Sequence, residues 1–152
     1  MILADIQLFR WALNNVDPFD EDCINPASID LKLGNEFVDL EMDREFRSNI
    51  ITLSPGGAIL ATTVEYIMMP VNWAGVLYLK SSLARKGLDH ALAGFVDPGF
   101  EGQLTMELHS HRPIMLRPGQ RIVQLVLYEC HEPAHPYDGR YQGQRGPTRC
   151  KP

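Results

Sequence analysis

The hydrophobic rhythm of the chain changes once. Between Ala4 and Asn14 the apolar Ile6, Phe9 and Leu13 recur at near-helical spacing, and Asp5 suits the positive end of a helix dipole, which predicts one short helix. The DPFDEDCINPAS that follows is dense in Asp, Asn and Pro and reads as an exposed connection. Beyond it the apolar or alternating runs are short and are cut by SPGG, MPVNW, DPGFEG and RPGQR. Strands are predicted at Ser28 to Leu33, Glu36 to Leu40, Ile50 to Leu53, Ala58 to Met68, Ala74 to Lys80, Ala91 to Val96, Gly102 to His109, Ile114 to Leu116 and Arg121 to Glu129. One helix followed by many short strands predicts an all-β barrel or jelly-roll-like sandwich in a single domain, residues 1–152.

Composition narrows the function more than the fold. A net charge of −5 removes the broad positive field that non-specific binding to nucleic acid or an anionic membrane needs, so neither is an expected partner. No apolar run approaches a membrane span, and the start MILADIQLFRW carries an acidic residue where a secretory leader would be basic; a cytoplasmic protein is expected. The three cysteines, Cys23, Cys130 and Cys150, are scattered and form no C-x-x-C pair. His109 and His111 form an i, i+2 pair on a predicted strand, read as solvated or hydrogen-bonded rather than as a zinc site.

Three segments carry candidate chemistry. In GQLTMELHS, Leu104, Met106 and Leu108 alternate with Gln103, Thr105, Glu107 and His109, so a strand places the polar set on one face. In LKSSLARKG, Lys80 and Arg85 flank the hydroxyls of Ser81 and Ser82, which suits phosphate oxygens as well as it suits a short helix capped by either serine. In AGFVDPGFEG, Asp97-Pro98-Gly99 forms a turn; the same hairpin could admit a planar ligand, with Phe100 against a sugar and Asp97 near a water. The end, PYDGRYQGQRGPTRCKP, has little to bury and reads either as a frayed tail or as a lid.

Together NPASIDLKLG (Asn25 to Gly34), KSSLARKGL (Lys80 to Leu88), AGFVDPGFEGQLTMEL (Ala93 to Leu108), RPGQRIVQL (Arg117 to Leu125) and YQGQRGPT (Tyr141 to Thr148) resemble, in order, the blocks of the dCTP deaminase family within the trimeric dUTPase-like superfamily. The stretch from Leu88 to Ala93 is about one residue shorter than usual in the family. The resemblance implies a distorted β-barrel of dUTPase-like fold, a homotrimer with nucleotide sites shared between subunits, dCTP as substrate and dTTP as a candidate inhibitor.

It also implies roles. Glu107 would relay the protons of deamination, Ser81 would touch the attacking water, Arg85 would orient the Glu107 carboxylate, and the Ala93 carbonyl would hold the amino group of the base. Lys80, which stands where the family usually has Arg, would contact phosphates with Ser82. Phe100 would lie near the sugar, and Tyr137, Arg140 and Gln144 would close residues 137–152 over the triphosphate as a lid that is mobile without ligand. Mg²⁺ would ride on the phosphates, with Asp30 approaching it through water. The H-x-E and P-C-x-x-C signature of zinc deaminases is missing, so no zinc is expected in catalysis. Deamination of dCTP to dUTP and ammonia is the leading reading, since Glu107 stands where plain dUTPases generally lack a carboxylate. A bifunctional enzyme releasing dUMP and diphosphate is the alternative, with Asp97 as base and Gln124 near the same water; a dUTPase or a regulatory nucleotide binder on the same fold follows.

Overall fold

The computed structural model describes residues 1–91 and 93–152. The chain runs through α1 (Asp5–Asn15), β1 (Val16–Asp17), a 3₁₀ turn (Glu21–Cys23), β2 (Ile29–Asp39), β3 (Arg44–Arg47), β4 (Ile51–Leu53), β5 (Ala58–Met68) and β6 (Trp73–Leu79). It continues through α2 (Ser81–Ala84), β7 (Leu88–His90), β8 (Phe95–Val96), β9 (Glu101–Ser110), β10 (Ile114–Leu116) and β11 (Arg121–Glu129). The main sheet follows the order β7-β9-β5-β2-β11-β6-β8, with β1 on β5 and β3 on β2; β10 and β4 form a separate pair. The strand pairings are antiparallel.

β7 and β8 lie at opposite ends of this order, yet only residues 91–94 separate them in sequence. Five peptide steps from His90 to Phe95 reach at most about 17 Å, so the sheet must curl until its margins nearly meet. Two backbone bonds pin the link: the Ala91 N–H donates to Glu107 C=O at 3.1 Å, and the Leu77 N–H donates to Gly94 C=O at 2.7 Å. Gly94 is needed there, because a Cβ would stand 2.8 Å from the Leu77 carbonyl oxygen. The curled sheet encloses a core in which Leu31, Leu33, Phe37, Met106, Leu108, Leu125 and Leu127 are fully buried. The all-β barrel expectation is met.

Several local expectations change. The N-terminal helix buries Leu8, Trp11 and Ala12, while Ile6 and Leu13 are 65% and 55% exposed, so the buried stripe differs in phase from the expected one. Leu8, Trp11 and Ala12 have equally good helical spacing, and only the docking partner decides between the two stripes. The two strands predicted between Ser28 and Leu40 are one strand, β2, whose pairing with β5 shifts register between Leu33 and Phe37. β3 was not foreseen: its REFR is almost wholly exposed, and only Phe46 packs inward, stacked on Phe37 at 5.5 Å. Of the strand predicted over Ala91 to Val96, only Phe95–Val96 is extended and paired; Leu92 lies outside the described residues. α2 is a second helix, and neither serine caps it: Ser81 is its first residue, and the preceding Lys80 makes no capping bond with its side chain. Among the described residues no helix is long and apolar enough to cross a membrane.

Candidate active site

β9 places the central carboxylate. Its strict alternation buries Gly102, Leu104, Met106 and Leu108 and leaves Gln103, Thr105, Glu107 and His109 half-buried on the other face. Glu107 lines a cavity of about 480 Å³. Its Oε2 is fully shielded and has no hydrogen-bond partner among the described residues. An unpaired buried carboxylate oxygen is costly unless a further group completes it.

The link between β7 and β8 and the hairpin after it form the facing wall. Ala93, Asp97 and Phe100 line the same cavity. The hairpin turn is closed by its own backbone, the Phe100 N–H donating to Asp97 C=O at 3.2 Å, and Gly99 takes φ +78°, which a side chain would strain. Among the described residues the Asp97 carboxylate makes no hydrogen bond, and Asp97 is exposed at the cavity. Phe100 is buried and packs edge-to-face on Tyr137, with ring centroids 5.8 Å apart.

The C-terminal segment supplies the third wall. Tyr137 and Gln144 line the cavity, joined by Tyr141 and Thr148. The segment lies along the first half of β9: the Gln103 N–H donates to Gln144 C=O at 3.0 Å, Gln144 Nε2 to Gln103 C=O at 2.8 Å, and the Thr148 N–H to Thr105 Oγ1 at 3.0 Å. The Gln144 amide nitrogen is thus spent on backbone. Arg140 is exposed and donates to the Lys151 carbonyl at 2.7 Å, outside the cavity wall.

The expected phosphate segment is not part of this wall. Ser81, Ser82 and Arg85 are exposed on and beside α2, and none lines the cavity. Lys80 is held by Asp30, with Nζ 2.7 and 2.8 Å from its two oxygens. Asp30 is buried on β2, also accepts from Asn25 Nδ2 at 2.9 Å, and has Arg121 at 3.8 Å. Gln124 on β11 sits directly across from Asp30 and Tyr78, in that cluster rather than at the cavity. Of the expected residues, Glu107, Ala93, Asp97, Phe100, Tyr137 and Gln144 are therefore brought together, whereas Lys80, Ser81, Ser82, Arg85, Gln124, Arg140 and Asp30 lie elsewhere on the same chain. Thr105 was not singled out as a cavity residue, although its place on the face of Glu107 could be read from the alternation.

Comparison with known proteins decides the family. The dCTP deaminase-like family model matches residues 7–130. This chain belongs to the dCTP deaminase-like family. Two relatives within it are named dCTP deaminase, dUMP-forming: one from Parafrankia sp. is 41% identical over 97% of this chain and 85% of its own length, and one from Mycolicibacterium gilvum is 38% identical over 99% and 95%. The crystal structure of 2′-deoxycytidine 5′-triphosphate deaminase from Agrobacterium tumefaciens has the same fold, with a TM-score of 0.74 at 23% identity, covering 86% of this chain and 48% of that longer one. A native EIAV dUTPase matches more loosely, with a TM-score of 0.54 at 22% identity over 92% of this chain and 98% of that one. The fold is therefore the dUTPase-like one that the family resemblance implies.

Proposed function

We propose that this chain converts dCTP to dUMP, diphosphate and ammonia, consuming two waters. The unpartnered oxygen of Glu107, a residue that lines the cavity, carries the reading. Deamination needs water to add at C4 of cytosine while N3 gains a proton, and the amino group must be protonated to leave; one carboxyl group set between these atoms performs the transfers. The Ala93 carbonyl, fixed by the bonds of the link, accepts from the amino group. The second step has its own support. Asp97 lines the same cavity with a carboxylate that makes no hydrogen bond among the described residues, and two relatives, 41% and 38% identical, are named for forming dUMP. Asp97 accepts a proton from the water that attacks the α-phosphorus, and diphosphate leaves.

The missing partner of Glu107 is Arg85 of a second copy, which brings Ser81 and Ser82 with it, and three copies close the ring in the trimer that the resemblance implies. Both oxygens of Asp30 accept from Lys80, which is consistent with Asp30 approaching Mg²⁺ only through water. Mg²⁺ travels on the triphosphate with water in its remaining positions. Incubation of the purified protein with dCTP and Mg²⁺, followed by chromatography of the nucleotides and an ammonia assay, tests the reading. Equal release of ammonia and dUMP is expected. Accumulation of dUTP would remove the second step, and unchanged dCTP would remove the first.

A further inference from the structure

We propose that Asp89, His109 and His111 form a binding site for one divalent transition metal ion of the zinc, cobalt or nickel kind, separate from the cavity and clipping β7 to β9. None of the three lines that cavity. Sequence alone offered only the two histidines; the third donor arrives through sheet pairing. Asp89 is the direct cross-strand neighbour of His109, so both side chains leave the same face. His111 follows two residues later, and its N–H donates to Gly87 C=O at 2.8 Å, which extends the β7–β9 alignment past the last paired residue of β9 and keeps His111 near the same face. Neighbouring Ser110 is tied down as well, its hydroxyl donating to Arg112 C=O at 2.5 Å.

The donor atoms converge. Asp89 Oδ1 accepts from the His90 N–H at 2.7 Å, which fixes the carboxylate and leaves Oδ2 towards the imidazoles. His109 Nε2 and His111 Nε2 stand 3.4 and 3.6 Å from that oxygen, and one donor atom from each residue lies within 4.8 Å of the others. The two separations are long for a charge-assisted hydrogen bond, which is about 2.7–2.9 Å. They are close to the edge of a tetrahedron around an ion bonded to nitrogen and oxygen at about 2.0–2.1 Å, an edge of about 3.3–3.4 Å. The rings meet edge-on, 77° apart, so both nitrogens can face one point without stacking.

The donor set selects the ion. Two imidazole nitrogens and one carboxylate suit borderline transition metals, whereas Mg²⁺ and Ca²⁺ favour oxygen shells. The side chains of His109, Asp89 and His111 are 35%, 50% and 69% exposed, so the ion has an entry path and water completes its shell. Bound there, the ion joins β7, one margin of the curled sheet, to β9.

Co²⁺ titrated into the metal-free full chain provides the test, read by its visible absorption. One saturating d–d band at one Co²⁺ per chain is expected, without a thiolate charge-transfer band, and Zn²⁺ should displace it. His111→Ala, at the most exposed donor, and Asp89→Asn, which keeps an acceptor for the His90 N–H, should each weaken Co²⁺ by about tenfold or more while circular dichroism stays unchanged. Zn²⁺ should raise the melting temperature of the parent chain and not of either variant. Absence of a saturating band would overturn the proposal, as would a thiolate band that places the ion on Cys23, Cys130 or Cys150, or equal affinity in parent and variants.

Discussion

The two halves of the chemistry are built differently. The cavity wall formed by Ala93, Asp97, Phe100 and Glu107 comes from one chain, with backbone bonds holding the link and a shielded, unpaired oxygen on Glu107. The segment from Lys80 to Arg85 is firmly anchored but turned outward. Its cation is neutralised by buried Asp30, and its hydroxyls and guanidinium face away from that wall. The difference shows that sequence proximity to a site and membership of it are separate matters. On the proposed reading, the outward segment contributes to a site on a second copy.

The sharpest way to break this comparison is at its centre. Glu107→Gln should lower ammonia release by about 10³-fold while calorimetry still detects dCTP binding, because the amide keeps the shape and loses the proton relay. Near-normal turnover would remove Glu107 from the chemistry. Arg85→Ala should be comparably inactive, and co-refolding the two dead variants in equal amounts should restore roughly a quarter of the parent activity, since random assembly pairs intact halves at that frequency. No recovery would place both halves of the site in one chain.

Asp97→Asn should act on only one wall. Ammonia release is expected to persist while dUMP formation falls by about 10²-fold or more, so that dUTP accumulates on chromatography. Parallel loss of both products would mean that Asp97 serves binding rather than the second step.

Lys80→Ala probes the anchored segment. It strands a carboxylate that is 2% exposed with Asn25 and a distant Arg121, and should cost about 3 kcal/mol in denaturant unfolding. Lys80→Arg should retain most of the stability, because its guanidinium can meet both Asp30 oxygens.

The smallest expected effect concerns a carboxyl that belongs to neither half. Burial on β5 pushes the Glu65 carboxyl above its usual range, against the Lys32 N–H that donates to Oε2 at 2.9 Å. The folded chain then holds this proton to higher pH than the unfolded chain. The stabilisation is complete below the ordinary carboxylate value and is lost as pH rises through the raised one. Glu65→Gln, which keeps an acceptor for Lys32, should flatten that dependence and add on the order of 1 kcal/mol at pH 7, read from melts across pH.

What the sequence made legible follows from what each segment has to bury. β5, β10 and β11 begin and end where their apolar runs and flanking turns place them, because each has side chains to bury. β3 had no such signal, since REFR pairs at an outer position with little to hide. Glu107 could be read from β9 because alternation fixes its face. The diversion of Lys80 to Asp30 could not, since it joins residues fifty positions apart through the β2–β11–β6 register. The docking of Gln144 on Gln103 was equally hidden, because backbone acceptors leave no trace in side-chain patterning.

The link over residues 91–94 gives the barrel a seam. Its margins, β7 and β8, share no strand pairing among the described residues and are held by covalent continuity and the bonds of Ala91 and Leu77. A closure so thinly stitched opens at lower cost than the β2–β5 ladder, so the Ala91 and Leu77 amides should exchange with solvent by small local excursions rather than by global unfolding. On the proposed reading, a ligand seated against Ala93 would rivet both margins at once. Occupancy of the cavity would then be written into the exchange rates of two amides at the two ends of this link, and the site could be read as a latch as well as a pocket.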